Sequence, residues 1–176
     1  MPLATKSFVV ATILALLTST ACNRMRAYQW RSLEAPDGTF SVSLPGDAVK
    51  EDKPTKSVTG GSFISHTFKA RASKGAAYGC SWWEDPSLKG RTAEQILDTA
   101  RDGGLSSSNG KMLGEKRLTV QGHPARDIRA IAGRNAAYDN RLVVVGDRLY
   151  TLLVVDVSGK RDNVNIERFF HSLVLH

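Results

Sequence analysis

The chain has 176 residues, two cysteines and a formal net charge of +7, from 24 lysines and arginines against 17 aspartates and glutamates. This length suits one domain with a core of its own, and two cysteines are too few for a disulfide-stapled scaffold. Acidic residues interrupt the basic ones along the chain, whereas nucleic-acid-binding proteins gather basic residues into dense patches. We therefore expect no nucleic acid among the partners.

The N-terminal segment predicts export. Lys6 precedes an apolar run of ten residues at positions 8–17, and small residues then lead to Cys22. A basic start, a short apolar stretch and small residues before a cleavage point are typical of a secretory signal peptide, which we assign to residues 1–21. A membrane-spanning helix needs about 18 or more apolar residues, so this run is too short for that role. The mature protein is expected outside the cytoplasm.

Cys22 is the predicted lipidation site. Thr20 and Ala21 fit a bacterial lipoprotein signal, in which the cysteine is lipidated and becomes the N-terminus, although Ser19 stands where that motif usually has a branched apolar residue. Ordinary cleavage after Ala21 is the alternative, which leaves a periplasmic or secreted soluble protein. Lipidation is favoured, and because Asn23 rather than aspartate follows, we expect an anchor on the outer membrane or surface side.

The domain begins soon after this point. Residues 22–27 are predicted to form a short tether, and residues 28–176 a single domain. Its first strand is indicated by apolar residues that alternate with serines after an Asp37-Gly38 turn: Phe40, Val42 and Leu44. Residues 46–61 contain many charges, a proline and a pair of glycines, so we expect an exposed loop there.

Strands and one helix are predicted in the middle of the chain. Strands are expected over residues 62–71 and 76–83, and again over 111–121 and 125–132. Between these pairs, Thr92 and Gln95 form a capping box that predicts the start of a helix. Apolar residues then recur at helical spacing, and the glycine pair at 103 and 104 is expected to end the helix.

The last third predicts a hairpin and a closing helix. Residues 141–145 and 148–155 flank Gly146-Asp147, and glycine at the first central position suits a type II′ turn. The second of these strands is apolar on both faces, so we expect it at the centre of a sheet with cover on each side. A helix capped at Asp162 or Asn163 follows, with four apolar residues on one stripe: Ile166, Phe169, Phe170 and Leu173. These elements predict an α+β fold with a mainly antiparallel sheet flanked by helices.

Several segments resemble the PsbP-like proteins and related bacterial envelope proteins. They are PDGTFSVSLPG at residues 36–46, GHPA at 122–125, the hairpin at 141–150 and FFHSLVL at 169–175. The resemblance runs over most of residues 33–175 and implies an α/β/α sandwich around an antiparallel sheet. Plant and cyanobacterial members support the oxygen-evolving complex, so the resemblance implies protein binding without catalysis.

The mature chain shows no catalytic or metal-binding motif. Cys80 lies in an apolar strand-like run and is expected to be an inert, buried thiol. If Cys22 is not lipidated, a Cys22–Cys80 disulfide becomes an alternative. The histidines lack the spacing that zinc sites use: His66, His123, His171 and His176. We therefore expect no enzymatic activity, no metal and no cofactor.

Trp82 and Trp83 are the candidate partner surface. Adjacent strand residues point to opposite faces, so the two indole rings do not share one core. Cover by helices on both faces is the favoured interpretation, and an exposed tryptophan that binds a partner is the alternative. Our leading hypothesis is a non-enzymatic, lipid-anchored envelope protein that binds or stabilises another envelope component, an unknown envelope protein. The alternative is a secreted small-ligand carrier or enzyme with a pocket near Cys80.

Overall fold

The computed structural model describes residues 29–57, 61–73 and 75–176, so the predicted signal peptide and Cys22 lie outside the described residues. The described strands are β1 Trp30–Glu34, β2 Phe40–Pro45, β3 Val49–Lys56, β4 Ser62–Ser73, β5 Ala76–Glu84, β6 Lys111–Val120, β7 His123–Ala132, β8 Ala136–Val145, β9 Arg148–Asp156 and β10 Val174–Leu175. The described helices are α1 Ala93–Ser107 and α2 Asn163–His171. Neither helix has the length and apolar character needed to cross a membrane.

The main sheet has seven antiparallel strands in the order β3-β4-β5-β9-β8-β7-β6. Its central strand is β9, whose Leu149 and Leu152 are buried on opposite faces. The predicted central position is therefore confirmed, whereas cover on the face of Leu149 is only partial, because Leu153 and Val155 on that face are half-buried. Gly146 has a φ of +58°, as the first central position of the predicted hairpin turn requires.

One face of the main sheet is covered by a second sheet and by α2. The second sheet has the order β1-β2-β10, and α2 packs against β2 and β9. Phe40 and Phe169 are fully buried in this layer, where the Phe40 ring contacts those of Trp82 and Tyr150 at centroid distances of 4.9 and 5.3 Å. The alternation of residues 40–44 and the apolar stripe of the last helix both point into this core, as predicted.

The other face of the main sheet carries α1. The helix begins at Thr92 with the predicted capping box, in which the Gln95 N–H donates to the Thr92 hydroxyl oxygen and the Thr92 N–H to the Gln95 side chain. α1 packs against β7 and β8. A helix is about 10 Å wide and neighbouring strands lie about 4.8 Å apart, so one helix covers two or three strands. This face of β4, β5 and β9 therefore lies beside α1 rather than beneath it.

Two local predictions are wrong. Within the predicted loop at 46–61, Val49–Lys56 forms the edge strand β3 and pairs with β4 along its whole length. Polar side chains and Pro54 are tolerated there because an edge strand bonds on one side only and its side chains meet solvent. The glycines at 103 and 104 do not end α1, which continues to Ser107; the left-handed residue is Asn109, with a φ of +48°.

The predicted fold class is largely confirmed. The fold is α+β, and every strand pairing among the described residues is antiparallel. The α/β/α sandwich is confirmed only in part, because strands predominate in the described chain and one outer layer combines α2 with the three-stranded sheet. Residues 40–45 belong to that outer sheet. Their alternating pattern predicts a strand but does not indicate which of the two sheets the strand joins.

Candidate functional site

A groove of about 610 Å³ lies between α1 and the uncovered half of the main sheet. Its sheet side is lined mainly by large apolar side chains: Phe63, Trp83, Leu149, Leu153 and Val155. Ile96, Ala100 and Gly104 of α1 form the opposite wall. Phe63 and Trp83 stack with ring centroids 5.8 Å apart and planes at 13°. The groove is therefore a cleft with an aromatic side and a helical side.

Two polar side chains of β8, Asn140 and Tyr138, lie in this apolar lining. Both residues are about 95% buried, with 5% of their surface exposed. Asn140 Nδ2 donates to Tyr138 Oη over 3.2 Å, and Asn140 Oδ1 has no hydrogen-bond partner among the described residues. Burial raises the pKa of Tyr138, against the lowering effect of the Asn140 hydrogen bond. The pair is therefore uncharged at neutral pH.

Gly104 allows the Tyr138 hydroxyl to lie against α1. A Cβ atom at position 104 would come within 2.9 Å of Tyr138 Oη, closer than van der Waals contact permits. A Cβ atom at the neighbouring Gly103 would have no other atom within 4 Å. The two glycines that were predicted to end the helix therefore differ: Gly104 is needed for close packing and Gly103 is not.

Asp85 lies at one end of the groove. It is 93% buried, with 7% exposed, and its carboxylate accepts hydrogen bonds from the Ser57 hydroxyl at 2.7 Å and the Ser87 N–H at 3.0 Å. Burial alone would raise the pKa of Asp85, but these hydrogen bonds outweigh it and hold the pKa below its ordinary value. Asp85 is therefore ionised at neutral pH and orders the turn at Pro86–Leu88, which it caps.

An ion-pair cluster fixes α1 to the sheet. The Arg126 side chain is fully buried, and its guanidinium donates to Glu94 Oε2 at 2.6 Å, to Glu115 Oε1 at 2.9 Å and to Asp98. Glu94 and Asp98 belong to α1, Arg126 to β7 and Glu115 to β6. Sequence reasoning missed this cluster, although two signals were available. Arg126 shares a strand face with apolar Ile128, and the α1 carboxylates are spaced i, i+4.

The residues singled out from the sequence lie in three different places. Cys22 is outside the described residues. Trp82 is buried in the core against Phe68, with ring centroids 5.0 Å apart, so it offers no partner surface. Trp83 is half-buried and lines the groove.

Cys80 is separated from the groove by the sheet. It lies opposite Phe68 and Leu152 in register, fully buried on the face that packs against the second sheet. Burial strongly raises the pKa of the Cys80 thiol, which keeps it protonated and unreactive. The groove is therefore not the pocket predicted near Cys80, because it lies on the opposite face of the sheet. Within the described part of the chain, no group of three or more histidine, cysteine, aspartate or glutamate residues is arranged to hold a metal.

Comparison with solved structures identifies the architecture. The solution structure of cyanobacterial PsbP (CyanoP) from Synechocystis sp. PCC 6803 matches with a TM-score of 0.58, over 84% of this chain and 92% of that chain, at 11% identity. This protein has a PsbP-like fold. The predicted resemblance is thus confirmed for the fold. A structural match at 11% identity supports the fold alone.

Other comparisons add little to the PsbP-like architecture. A crystal structure of PA94, a protein of unknown function from Pseudomonas aeruginosa, matches 74% of this chain and 85% of that chain, with a TM-score of 0.42 and 14% identity. No protein-family model and no curated protein matches the sequence. Function must therefore be argued from the site, because one fold hosts many functions.

Proposed function

We propose that this protein is a non-enzymatic binding protein of the bacterial cell envelope, lipid-anchored through Cys22, and that the groove beside α1 is its binding site. The envelope component that it holds is then a small, mostly apolar molecule. The observation that carries this proposal is the apolar cleft of about 610 Å³ on the half of the sheet that α1 leaves uncovered.

The size and lining of the groove favour a small molecule. Ligand sites in proteins are commonly clefts of about 300–1,000 Å³ with apolar walls and a few polar groups. Phe63 and Trp83 form such a wall, and Asn140 and Tyr138 supply the polar groups. Each Å² of apolar surface that a ligand removes from water contributes about 25 cal/mol. A long apolar molecule that covers both rings and reaches Leu153 would gain the most from this term.

Membrane anchoring and an apolar groove are consistent with each other. A lipidated Cys22 would hold the domain at a surface where amphiphilic molecules are concentrated. Several acyl chains, each worth about 0.8 kcal/mol per buried methylene, would keep the domain there. If the partner is instead an unknown envelope protein, its binding requires a different kind of site. A protein partner needs a broad surface, whereas a small molecule needs a cleft.

Binding of N-phenyl-1-naphthylamine, an apolar fluorescent probe, tests the groove. We expect saturable binding to the mature protein at one site. Ala100→Phe places a ring in the groove and should weaken binding by roughly tenfold or more, since it removes volume from the site. Asp102→Phe is the matched control, because Asp102 is an exposed residue of the same helix. Absence of saturable binding, or equal affinity in Ala100→Phe, would contradict the proposal and return the search to a protein partner.

Intact mass spectrometry of the mature protein from native membranes tests the anchor. We expect a chain that begins at an acylated Cys22, and loss of membrane association in Cys22→Ser. An unmodified chain in the soluble fraction would refute the anchoring while leaving the groove experiment unaffected. The next measurement would then be a test for the Cys22–Cys80 disulfide.

A further inference from the structure

The Asn140–Tyr138 pair leaves both donor and acceptor capacity for hydrogen bonds unused. With the amide as placed, Asn140 Nδ2 donates one hydrogen to Tyr138 Oη, so Asn140 Oδ1 remains as an acceptor, and the second Nδ2 hydrogen and the Tyr138 hydroxyl hydrogen remain as donors. With the amide turned by 180°, Tyr138 would donate to Asn140 Oδ1, and the Asn140 NH₂ would be the unused donor beside the lone pairs of Oη. The pair offers both functions in either orientation.

This unused capacity is unusual for a buried position. The large majority of buried side-chain polar atoms have a hydrogen-bond partner, because an unpaired one costs stability. Asn140 is on β8, next to the central strand, and its neighbour across the sheet is the apolar Leu153. A leucine at position 140 would continue the apolar lining without that cost. The amide therefore has a role that packing alone does not explain.

On the basis of the proposed function, we infer that the groove selects an uncharged amphiphile. The inner end of this ligand, which is the end inside the groove, carries a group that both donates and accepts a hydrogen bond, such as a hydroxyl or a primary amide. The Asn140–Tyr138 pair recognises this end, and the aromatic wall holds the apolar chain. Asn140 and Tyr138 are then the specificity-determining residues of the site.

An anionic inner end fits this site poorly. Tyr138 is neutral, and the charged residues among the described lining are Asp85 and Lys56. Asp85 is ionised and would repel an anion, while Lys56 is exposed on the edge strand β3. A carboxylate placed beside Asn140 would be removed from water without a buried counter-charge, which disfavours binding.

Three probes with the same chain length test the inference in the full mature protein. Decan-1-ol donates and accepts, its isomer 1-methoxynonane accepts only, and decanoate is an anion. Each competes with bound N-phenyl-1-naphthylamine, and the measured quantity is the concentration that displaces half of it. We expect the alcohol to bind about 5- to 10-fold more tightly than the ether, the effect of one hydrogen bond, and decanoate to bind more weakly than the alcohol.

Variants of Asn140 and Tyr138 test whether this pair causes the preference for the alcohol over the ether. Asn140→Leu and Tyr138→Phe should each reduce the preference for the alcohol over the ether to less than about twofold while fluorescent-probe binding is retained. Thr151→Val is the matched control, because it removes a hydroxyl from the same groove on the neighbouring strand, and it should keep the preference. If Asn140→Leu does not fold, Tyr138→Phe provides the same test.

The outcomes separate this inference from the proposed function. Absence of saturable fluorescent-probe binding overturns both. Fluorescent-probe binding with equal affinity for the alcohol and the ether overturns the inference alone and assigns the unused amide capacity to water. A preference that survives in both Asn140→Leu and Tyr138→Phe also overturns it, because another group would then recognise the hydroxyl.

Discussion

The two faces of the seven-stranded sheet are covered in different ways. One face is closed by the sheet β1-β2-β10 and helix α2, and its side chains, such as Phe40, Leu152 and Phe169, are fully buried. The other face has α1 over β7 and β8, and beside the helix Phe63 and Trp83 remain half-buried along the groove. The closed face is packed into a continuous core, whereas the open face leaves apolar area along the groove.

Two adjacent polar residues of β8 follow the same division. On the closed face, Arg141 donates to Asp127 at 2.6 and 2.8 Å, so its guanidinium is paired in the interior. On the open face, Asn140 retains an unpaired amide oxygen. Internal pairing stabilises the fold, while unused hydrogen-bonding capacity beside a cleft is available for recognition. Four predictions test how far this division extends.

The largest effect is expected for truncation of a closed-face aromatic. Phe40→Ala should lower the free energy of unfolding by about 3–5 kcal/mol, because it leaves a cavity among rings that are fully buried. Phe63→Ala, on the open face, is the matched comparison and should cost less than about half of that, since Phe63 already contacts solvent. Chemical denaturation measures both. Equal losses would show that the open face is as tightly packed as the closed one.

Removal of the buried arginine should have the next largest effect. Arg126→Leu abolishes the contacts that hold α1 to β6 and β7, and we expect a loss of about 2–3 kcal/mol. This loss is at or below the usual cost of breaking a buried ion pair, because the carboxylates of Glu94 and Asp98 that lose their partner reach solvent. Arg117→Leu is the control, since Arg117 is exposed and lies 3.6 Å from the same Glu94; it should cost less than about 1 kcal/mol. A similar loss in both variants would mean that burial of Arg126 is unimportant.

The two glycines of α1 should respond differently to substitution by alanine. Gly103→Ala is expected to raise the free energy of unfolding by about 0.5–1 kcal/mol, because alanine favours a helix and its Cβ has open space. Gly104→Ala should show no such gain and should weaken fluorescent-probe binding, because its Cβ displaces the whole Tyr138 side chain, which lines the groove. Thermal unfolding and probe titration measure the two effects. A gain in both variants would argue that Tyr138 moves freely beneath the helix.

The smallest effect is the acid dependence contributed by Asp85. Folding holds the pKa of Asp85 below its ordinary value of 3.8, so its stabilisation is present above that value and is lost as the pH falls through the folded pKa. Asp85→Asn should therefore lose less stability than the wild type as the pH falls from about 5 to about 2. Asp147→Asn, in the exposed β8–β9 turn, is the matched control. Parallel curves for Asp85→Asn and wild type would contradict this assignment.

Local features could be predicted from the sequence because their cause is local. The capping box at Thr92, the glycine of the β8–β9 turn and the apolar stripe that includes Phe169 each depend on neighbouring residues, and the structure confirms all three. The edge strand β3 could not be predicted in this way. Its residues carry little apolar signal, and it forms because β4 offers backbone partners along its whole length.

The candidate site was predictable only in fragments. Trp83 was singled out because adjacent strand residues face opposite ways, and it does line the groove. Trp82 and Cys80 lie in the same strand but face the closed core. Asn140 and Tyr138 gave no signal, because they precede the strand predicted over residues 141–145, whereas β8 begins at Ala136. Recognising their role required knowing that α1 covers Tyr138 and leaves a cleft beside Asn140.

By itself, the sequence determined the helices, most strands and the antiparallel character of the fold. These depend on the spacing of apolar residues and on turn and capping residues within a few positions of one another. Only the tertiary structure decided which half of the sheet stays uncovered. That choice depends on contacts between residues far apart in the chain, such as Arg126 with Glu94 and Gly104 with Tyr138. Because those contacts place α1 over β7 and β8, the groove opens over β5 and β9.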